Sequence, residues 1–314
     1  MELFQEKLGQ VREEIRKVIV GKDEIIDAIL MTVLANGHVL LEDIPGVGKT
    51  TLALAFSKTL SLQYHRMQFT PDVLPADVTG FSMYNKRTEE FEYREGAVMC
   101  NLFLADEINR TSPKTQSALL EVMEEGKVTV DGVTRTLPQP FFVIATQNPL
   151  GSAGTQKLPE SQLDRFMVKL SMGYPDVASE AQILKEENQD RMTEVAEVMS
   201  LGDIIEIQKL VRELHVEDCM YRYIADLMAA TRTSEWLKSG VSPRGAKALL
   251  RMARARAYME GRNYVVPEDV LNVLSMVCCH RVTLSAKAKA EGRREEEIIK
   301  ELAKGVPMPR VGGE

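Results

Sequence analysis

Five short β-rich runs recur in the first half of the chain: His38–Leu41, Tyr64–Phe69, Asn101–Ala105, Phe141–Ala145 and Phe166–Leu170. The segments between them place apolar residues at helical spacing, and this alternation predicts an α/β core, a parallel five-stranded sheet joined by crossover helices. Ahead of the first run, Leu3, Phe4, Leu8, Val11, Ile15, Val18 and Ile19 repeat at helical spacing among charged residues, so Met1 to Gly21 is predicted to open with an amphipathic helix. Two hairpins interrupt the alternation. In the first, Phe81–Tyr84 and Glu90–Tyr93 flank the charged turn Asn85-Lys86-Arg87; in the second, Lys127–Arg135 carries Asp131-Gly132 between alternating residues, a strong two-residue turn signal.

After Pro175-Asp176 the period changes to amphipathic helices, at about 178–190, 203–214, 218–232, 243–260, 267–279 and 285–303. Ser242-Pro243 and Val266-Pro267-Glu268-Asp269 mark helix starts, where proline and acids are favoured. The expected organisation is an α/β core with its N-terminal helix over 1–176, an all-α domain over 177–304, and a flexible tail over 305–314.

At 314 residues, 44% hydrophobic and 27% charged, the chain has ample material for such a core. Its formal net charge of −7 gives no overall positive field for nucleic acid or anionic lipid. No apolar run approaches the ~18 residues a spanning helix needs, so a soluble, cytoplasmic protein without membrane insertion is expected. Cys100, Cys219, Cys278 and Cys279 form no CxxC pair and read as reduced thiols. Cys278-Cys279-His280 reads as core packing, because adjacent helical side chains point about 100° apart and no second ligand pair follows.

The chemistry concentrates at strand ends. His38–Leu41 runs into Glu42-Asp43-Ile44-Pro45-Gly46-Val47-Gly48-Lys49-Thr50-Thr51, a strand, a glycine turn and a helix start. Phosphate oxygens fit there because free amides at a helix N-terminus can surround them and small residues let the chain approach. Lys49 would reach the β- and γ-phosphates of ATP, and the Thr50 hydroxyl would ligate Mg²⁺. Asp43 stands where the GxxxxGK[ST] pattern has its first glycine, a place where tolerance of left-handed backbone would help the turn leave the strand.

Asn101–Ala105 ends in Asp106-Glu107, acids delivered to the edge that carries the phosphate loop. Asp106 would hold the metal through water, and Glu107 would orient and deprotonate the attacking water. A helix-capping acid pair is the plainer alternative. Phe141–Ala145 leads to Thr146-Gln147-Asn148-Pro149, where the Asn148 amide could hydrogen-bond the γ-phosphate and the lytic water, although Asn-Pro is also an ordinary turn starter. Arg165, just before the last run, could neutralise a transferring phosphoryl group on a neighbouring subunit; its alternative is a surface ion pair with Asp164. Arg244, opening a helix of the second domain, could reach the phosphates and report their loss as a domain movement, or be purely structural.

Loop, acid pair, Asn148, Arg165 and Arg244 together resemble the AAA+ ATPases, in that family's order. More narrowly, Gln68–Gly80, Leu104–Arg110 with Pro113–Glu121, and Ala145–Pro149 are similar to the MoxR family, and the resemblance covers essentially the whole chain. It implies ATP and Mg²⁺ as cofactors, a hexameric ring, a sheet order of 5-1-4-3-2, and a C-terminal helical lid. It makes the first hairpin an insertion in helix 2 of the core and the second the hairpin before the sensor strand. By the same resemblance, Val20-Gly21-Lys22-Asp23 is the segment that contacts adenine, a simple turn being the alternative, and an acid at Asp43 is accommodated. The implied biology is chaperone-like maturation or metal insertion, with partners carrying von Willebrand factor A domains.

Three rival functions compete with this one. A nucleic-acid motor would line its pore with Lys86, Arg87, Lys127 and Arg135, against the acidic charge balance. A small-molecule P-loop kinase would need an acceptor pocket and has no use for Asn148 and Arg165. A nucleotide-gated scaffold would not need Glu107.

Overall fold

The computed structural model describes residues 2–148, 158–185 and 191–310. Pro149, the end of the expected 178–190 helix and the last four residues of the expected tail lie outside them. In chain order the elements begin with α1 (Glu2–Arg16), α2 (Asp23–Leu34), β1 (Val39–Glu42), α3 (Lys49–Thr59) and β2 (Tyr64–Gln68). Next come α4 (Pro75–Thr79), the hairpin β3 (Gly80–Asn85) and β4 (Glu90–Glu95), then β5 (Leu102–Asp106) and α5 (Pro113–Glu125). The hairpin β6 (Lys127–Val130) and β7 (Val133–Thr136) leads to β8 (Phe142–Gln147), α6 (Glu160–Leu163) and β9 (Val168–Leu170).

β2-β5-β8-β1-β9 form one parallel sheet. Numbered as the five core strands and taken from the other edge, this is the order 5-1-4-3-2. The central strands read as unbroken apolar runs because both faces are covered. Val39, Leu41, Leu102, Leu104 and Ile144 enter one buried cluster, and Leu40, Phe103, Ala105, Val143 and Ala145 enter the other. The two-residue period thus divides each strand between two cores.

The hairpins stand outside this sheet. In the β6–β7 turn both Asp131 (φ 51°) and Gly132 (φ 76°) are left-handed, as a two-residue turn matched to strand twist requires. The β3–β4 hairpin rises from a closed neck, where Ala97 and Val98 donate their amides to the α4 carbonyls of Asp77 and Val78. Arg135 of β7 stacks 3.8 Å from the centre of the Tyr93 ring on β4, joining the two hairpins.

The second half contains α7 (Val177–Lys185), α8 (Leu201–Glu213), α9 (Asp218–Thr233), β10 (Leu237–Ser239), α10 (Pro243–Met259), α11 (Pro267–Cys278), β11 (Thr283–Leu284), α12 (Ala286–Ala290) and α13 (Glu295–Lys304). Two expectations are corrected here. The half is not wholly helical, since β10 and β11 pair antiparallel. The expected 285–303 helix is two helices, because the chain turns at Gly292 with φ 67°, where a right-handed helix cannot continue. The first apolar cluster runs from Leu8 of α1 through the sheet to Ala303 of α13, so the helical half packs on the sheet through a shared interior.

His38, immediately before β1, is half-buried beside that packing. The Val143 amide donates to its Nδ1 at 3.0 Å, which leaves Nε2 as the protonated nitrogen, 2.9 Å from the Met123 carbonyl. Burial, reinforced by Arg251, pushes its pKa down to about 4. The folded state therefore resists protonation, and His38 contributes stability that is complete above its unfolded pKa near 6.5 and lost as pH falls toward 4. The expected loss over that window is at most about 3 kcal/mol. NMR should show the His38 ring untitrated down to pH 5; a midpoint near 6.5 would contradict the burial argument.

Candidate nucleotide site

The phosphate loop leaves the carboxyl end of β1 and enters α3 at Lys49. Gly46 (φ 87°) and Gly48 (φ 90°) are left-handed, and a Cβ built on either meets no atom within 4 Å, so open space lies over the loop. No side chain caps α3, which leaves its first amides available to an anion. Lys49 is buried, and its Nζ donates to the carbonyls of Asp43 (2.9 Å) and Ile44 (3.2 Å). Burial lowers its pKa, against the opposing pull of Asp43, Asp106 and Glu107. Thr50 and Thr51 are half-buried behind it, Pro45 is exposed, and Val47 packs against the first cluster. The arrangement fits a polyphosphate: a glycine cradle, free amides and one cation aimed inward.

Asp43 acts otherwise than its sequence position suggests. It is not left-handed: the positive-φ residues other than glycine are Asn36, Ser61, Glu89, Glu107 and Asp131 among the described residues. Its buried carboxylate instead accepts from Ser171 Oγ (2.9 Å), the Met172 amide and the Gly173 amide (3.0 Å). An acid here clamps the chain leaving β9, which a glycine could not do. Lys22 holds the same segment from the other side, donating to the carbonyls of Met172 and Tyr174. Gly21 (φ 68°) faces the first turn of α7, where an added Cβ would lie 2.4 Å from Ser179 Oγ. Val20, half-buried, and Gly21 therefore sit beside the chain that enters the helical half.

Across from the loop, β5 delivers Asp106 and Glu107. Asp106 pairs with Arg66 of β2 through Nη2 at 2.7 Å. Its other oxygen accepts from Thr146 Oγ1 at 2.6 Å, and that same hydroxyl accepts the Glu107 amide at 2.8 Å. Glu107 takes a left-handed conformation (φ 57°), which bends its side chain out of the strand line. Asn148 Nδ2 donates to Glu107 Oε1 at 2.9 Å, and Arg110 Nη1 lies 2.7 Å from Oε2. The acid pair is thus not a helix cap: no side-chain cap bond links Glu107 to the short turn that follows.

Asn148 is buried, and its Oδ1 is without a partner among the described residues, as is Oδ1 of neighbouring Asn109. An unanswered buried acceptor beside a carboxylate is a place where a water would be held. Among the described residues no group of three or more metal-ligating side chains occurs. Thr50 and Asp106 are suited to Mg²⁺ in the manner common for that ion, with few protein ligands and phosphate oxygens supplying others.

Sequence reasoning missed Thr146. Its signal was a polar side chain in the fully buried end of an apolar strand. Thr146→Val keeps the shape but leaves Asp106 Oδ1 and the Glu107 amide each short of a partner, an expected loss of about 1–3 kcal/mol. Denaturant unfolding checks this; unchanged stability would sink the bridging role.

Arg165 and Arg244 are elsewhere. Arg165 Nη1 donates to the Leu120 carbonyl at 2.6 Å and lies 3.2 Å from Glu124 of α5. Arg244, in the first turn of α10, pairs with the same Glu124. The expected Arg165–Asp164 alternative is not what forms: Asp164 binds Arg281 Nε at 2.8 Å and Ser242 Oγ at 2.9 Å. The cavity that both arginines line also contains His38, Phe141 and Met167, which precede β1, β8 and β9. The arginines therefore lie at the amino ends of the strands, and the phosphate loop at the carboxyl ends.

This fold and this loop define a class: P-loop ATPases of the AAA+ type. Residues 38–168 match the family model described as "ATPase family associated with various cellular activities", and residues 229–302 match the AAA lid domain. The chain is 48% identical to protein YeaC of Bacillus subtilis, covering 96% of this chain and 95% of that one. It is 38% identical to the chaperone MoxR1 of Mycobacterium tuberculosis, covering 95% and 81%. A crystal structure from Cytophaga hutchinsonii, 38% identical, superposes with a TM-score of 0.90 over 98% of this chain and 96% of that one. Within the AAA+ class, the chain belongs to the MoxR family. Among the described residues no helix is long and apolar enough to cross a membrane.

Proposed function

We propose that the protein binds Mg·ATP over Gly46–Thr51 and hydrolyses it in a ring whose neighbouring subunits complete one another's sites. The observation that carries this reading is the separation of the arginines from the loop. β1 alone spans four residues, about 13 Å of strand, between the two edges. One subunit cannot turn both edges toward one triphosphate, whereas two subunits in a head-to-tail ring can.

In this reading Lys49 and the α3 amides bind the phosphates, and Thr50 and Asp106 hold the metal, which would neutralise charge on the transferring group. Glu107, aimed by Asn148 and by its bent backbone, takes the proton of the attacking water. Thr146 keeps Asp106 and Glu107 in register. Arg165 and Arg244 meet the neighbour's phosphates. Val20 and Gly21 flank the base, and the chain at 171–179, held by Asp43 and Lys22, carries the change toward the helical lid that begins after residue 176.

The work done is read as chaperone-like remodelling, or maturation and metal insertion, of a client protein, carried out together with a partner that bears a von Willebrand factor A domain. The β3–β4 hairpin supports a protein client over nucleic acid. Glu89, Glu90, Glu92 and Glu95 outnumber Lys86, Arg87 and Arg94 there, and Tyr84 and Phe91 form an exposed aromatic pair 5.4 Å apart. The test is turnover per subunit against protein concentration, with particle mass measured in Mg·ATP. Turnover should rise with assembly into hexamers; constant specific activity from a monomer would overturn the ring.

A further inference from the structure

Glu124 occupies the last turn of α5, where the terminal carbonyls already present partial negative charge and favour cations. No basic residue of α5 occupies that turn. An acid at such a place is unfavourable unless cations from elsewhere answer it. Two do, one on each oxygen: Arg165 at Oε2 and Arg244 at Oε1. One guanidinium comes from the turn before β9 and the other from α10 of the helical half. Brought together without an acid, they would repel each other and turn outward. Asp164, adjacent in sequence, is already committed to Arg281 and Ser242.

We propose that Glu124 is a positioning residue that sets Arg165 and Arg244 as one pair for the neighbouring subunit's triphosphate. The proposal rests on the reading that these arginines act between subunits. A guanidinium has five N–H donors, so one spent on Glu124 leaves others for phosphate oxygens. Glu124 therefore does not need to let go for the pair to engage. Both arginines remain partly open to solvent, with side-chain exposures of 29% and 45%. The cavity they border is about 520 Å³ and also holds Lys247, one turn along α10, so the pair faces a site of net positive charge. Because Arg244 rides on α10 and Arg165 on the core, the carboxylate also ties the arginine pair to the lid's position.

The test uses the full chain in Mg·ATP. Glu124→Ala should lower kcat by at least about tenfold while KM for ATP stays within about twofold, because the variant's own loop is intact. Glu124→Gln, keeping an acceptor without the charge, should fall between Glu124→Ala and the parent. In an Arg165→Ala/Arg244→Ala background, Glu124→Ala should change nothing further. Mixing Glu124→Ala with Lys49→Ala should recover turnover, with the Arg165→Ala and Lys49→Ala mixture as the control. Failure of that control overturns the inter-subunit reading and this proposal with it. If the control recovers, unchanged or raised kcat in Glu124→Ala overturns the positioning role alone. So does a further loss in the double-arginine background.

Discussion

Lys49→Ala is expected to weaken ATP binding by about 100- to 1000-fold, while Glu107→Gln leaves binding near the parent value and removes turnover. Lys49 supplies the inward-facing cation of a buried cradle, and in its absence the phosphates lose the cation seated in the loop, while Arg66 and Arg110 stay engaged with Asp106 and Glu107. Truncating one partner of a buried charge pair costs about 3–4 kcal/mol, at 1.4 kcal/mol per factor of ten. The fold should survive, because the substitution removes a buried cation whose bonds are to two loop carbonyls. Glu107 instead faces Asn148 and the unanswered acceptor beside it, where its proposed role is proton transfer, so its neutral amide should cost about 10²–10⁴ in rate. Equilibrium binding and single-turnover measurements on both variants check the division. Equal loss of binding in the two would contradict it.

Arg165→Ala is expected to bind ATP like the parent and to lose about 10³–10⁵ in kcat, the range for an arginine that stabilises phosphoryl transfer. The loss should be reversible by mixing. In a ring drawn at random from equal amounts of Arg165→Ala and Lys49→Ala subunits, half the sites belong to a subunit with a working loop. Half of those face a neighbour with a working arginine, so turnover should recover to about a quarter of the parent's. An arginine acting within its own subunit gives no recovery at any ratio. The substitution removes a hydrogen bond to one carbonyl and an ion pair to one half-exposed carboxylate, so folding stability should move by less than about 1 kcal/mol.

The site was legible to different depths. Gly46, Gly48, Lys49 and Thr50 lie in one short stretch, and Asp106-Glu107 follow one apolar run, so local pattern was enough to find them. Asn148 was legible for the same reason, at the end of the next strand. Thr146 was marked only as a polar side chain at the end of an apolar run, because its importance is a pair of bonds to residues about forty positions away in sequence. Asp43 misleads through its place in a loop pattern, when its carboxylate answers amides beyond residue 170. Glu124 gave no signal at all, since nothing in the spacing of α5 says which cations it will meet.

By itself the sequence determined the period changes, the five strands, both hairpins, the phosphate loop and the acid pair, because each depends on residues close together in the chain. The break at Gly292 and the β10–β11 pairing came only from the structure, as turn geometry and long-range partners carry little local signal. The tertiary structure also decided that Arg165 and Arg244 share one carboxylate at the strand edge opposite the phosphate loop. Distance along a chain fixes which residues share a strand end. Only the packing of α5 and α10 around the sheet fixes which charges are left together.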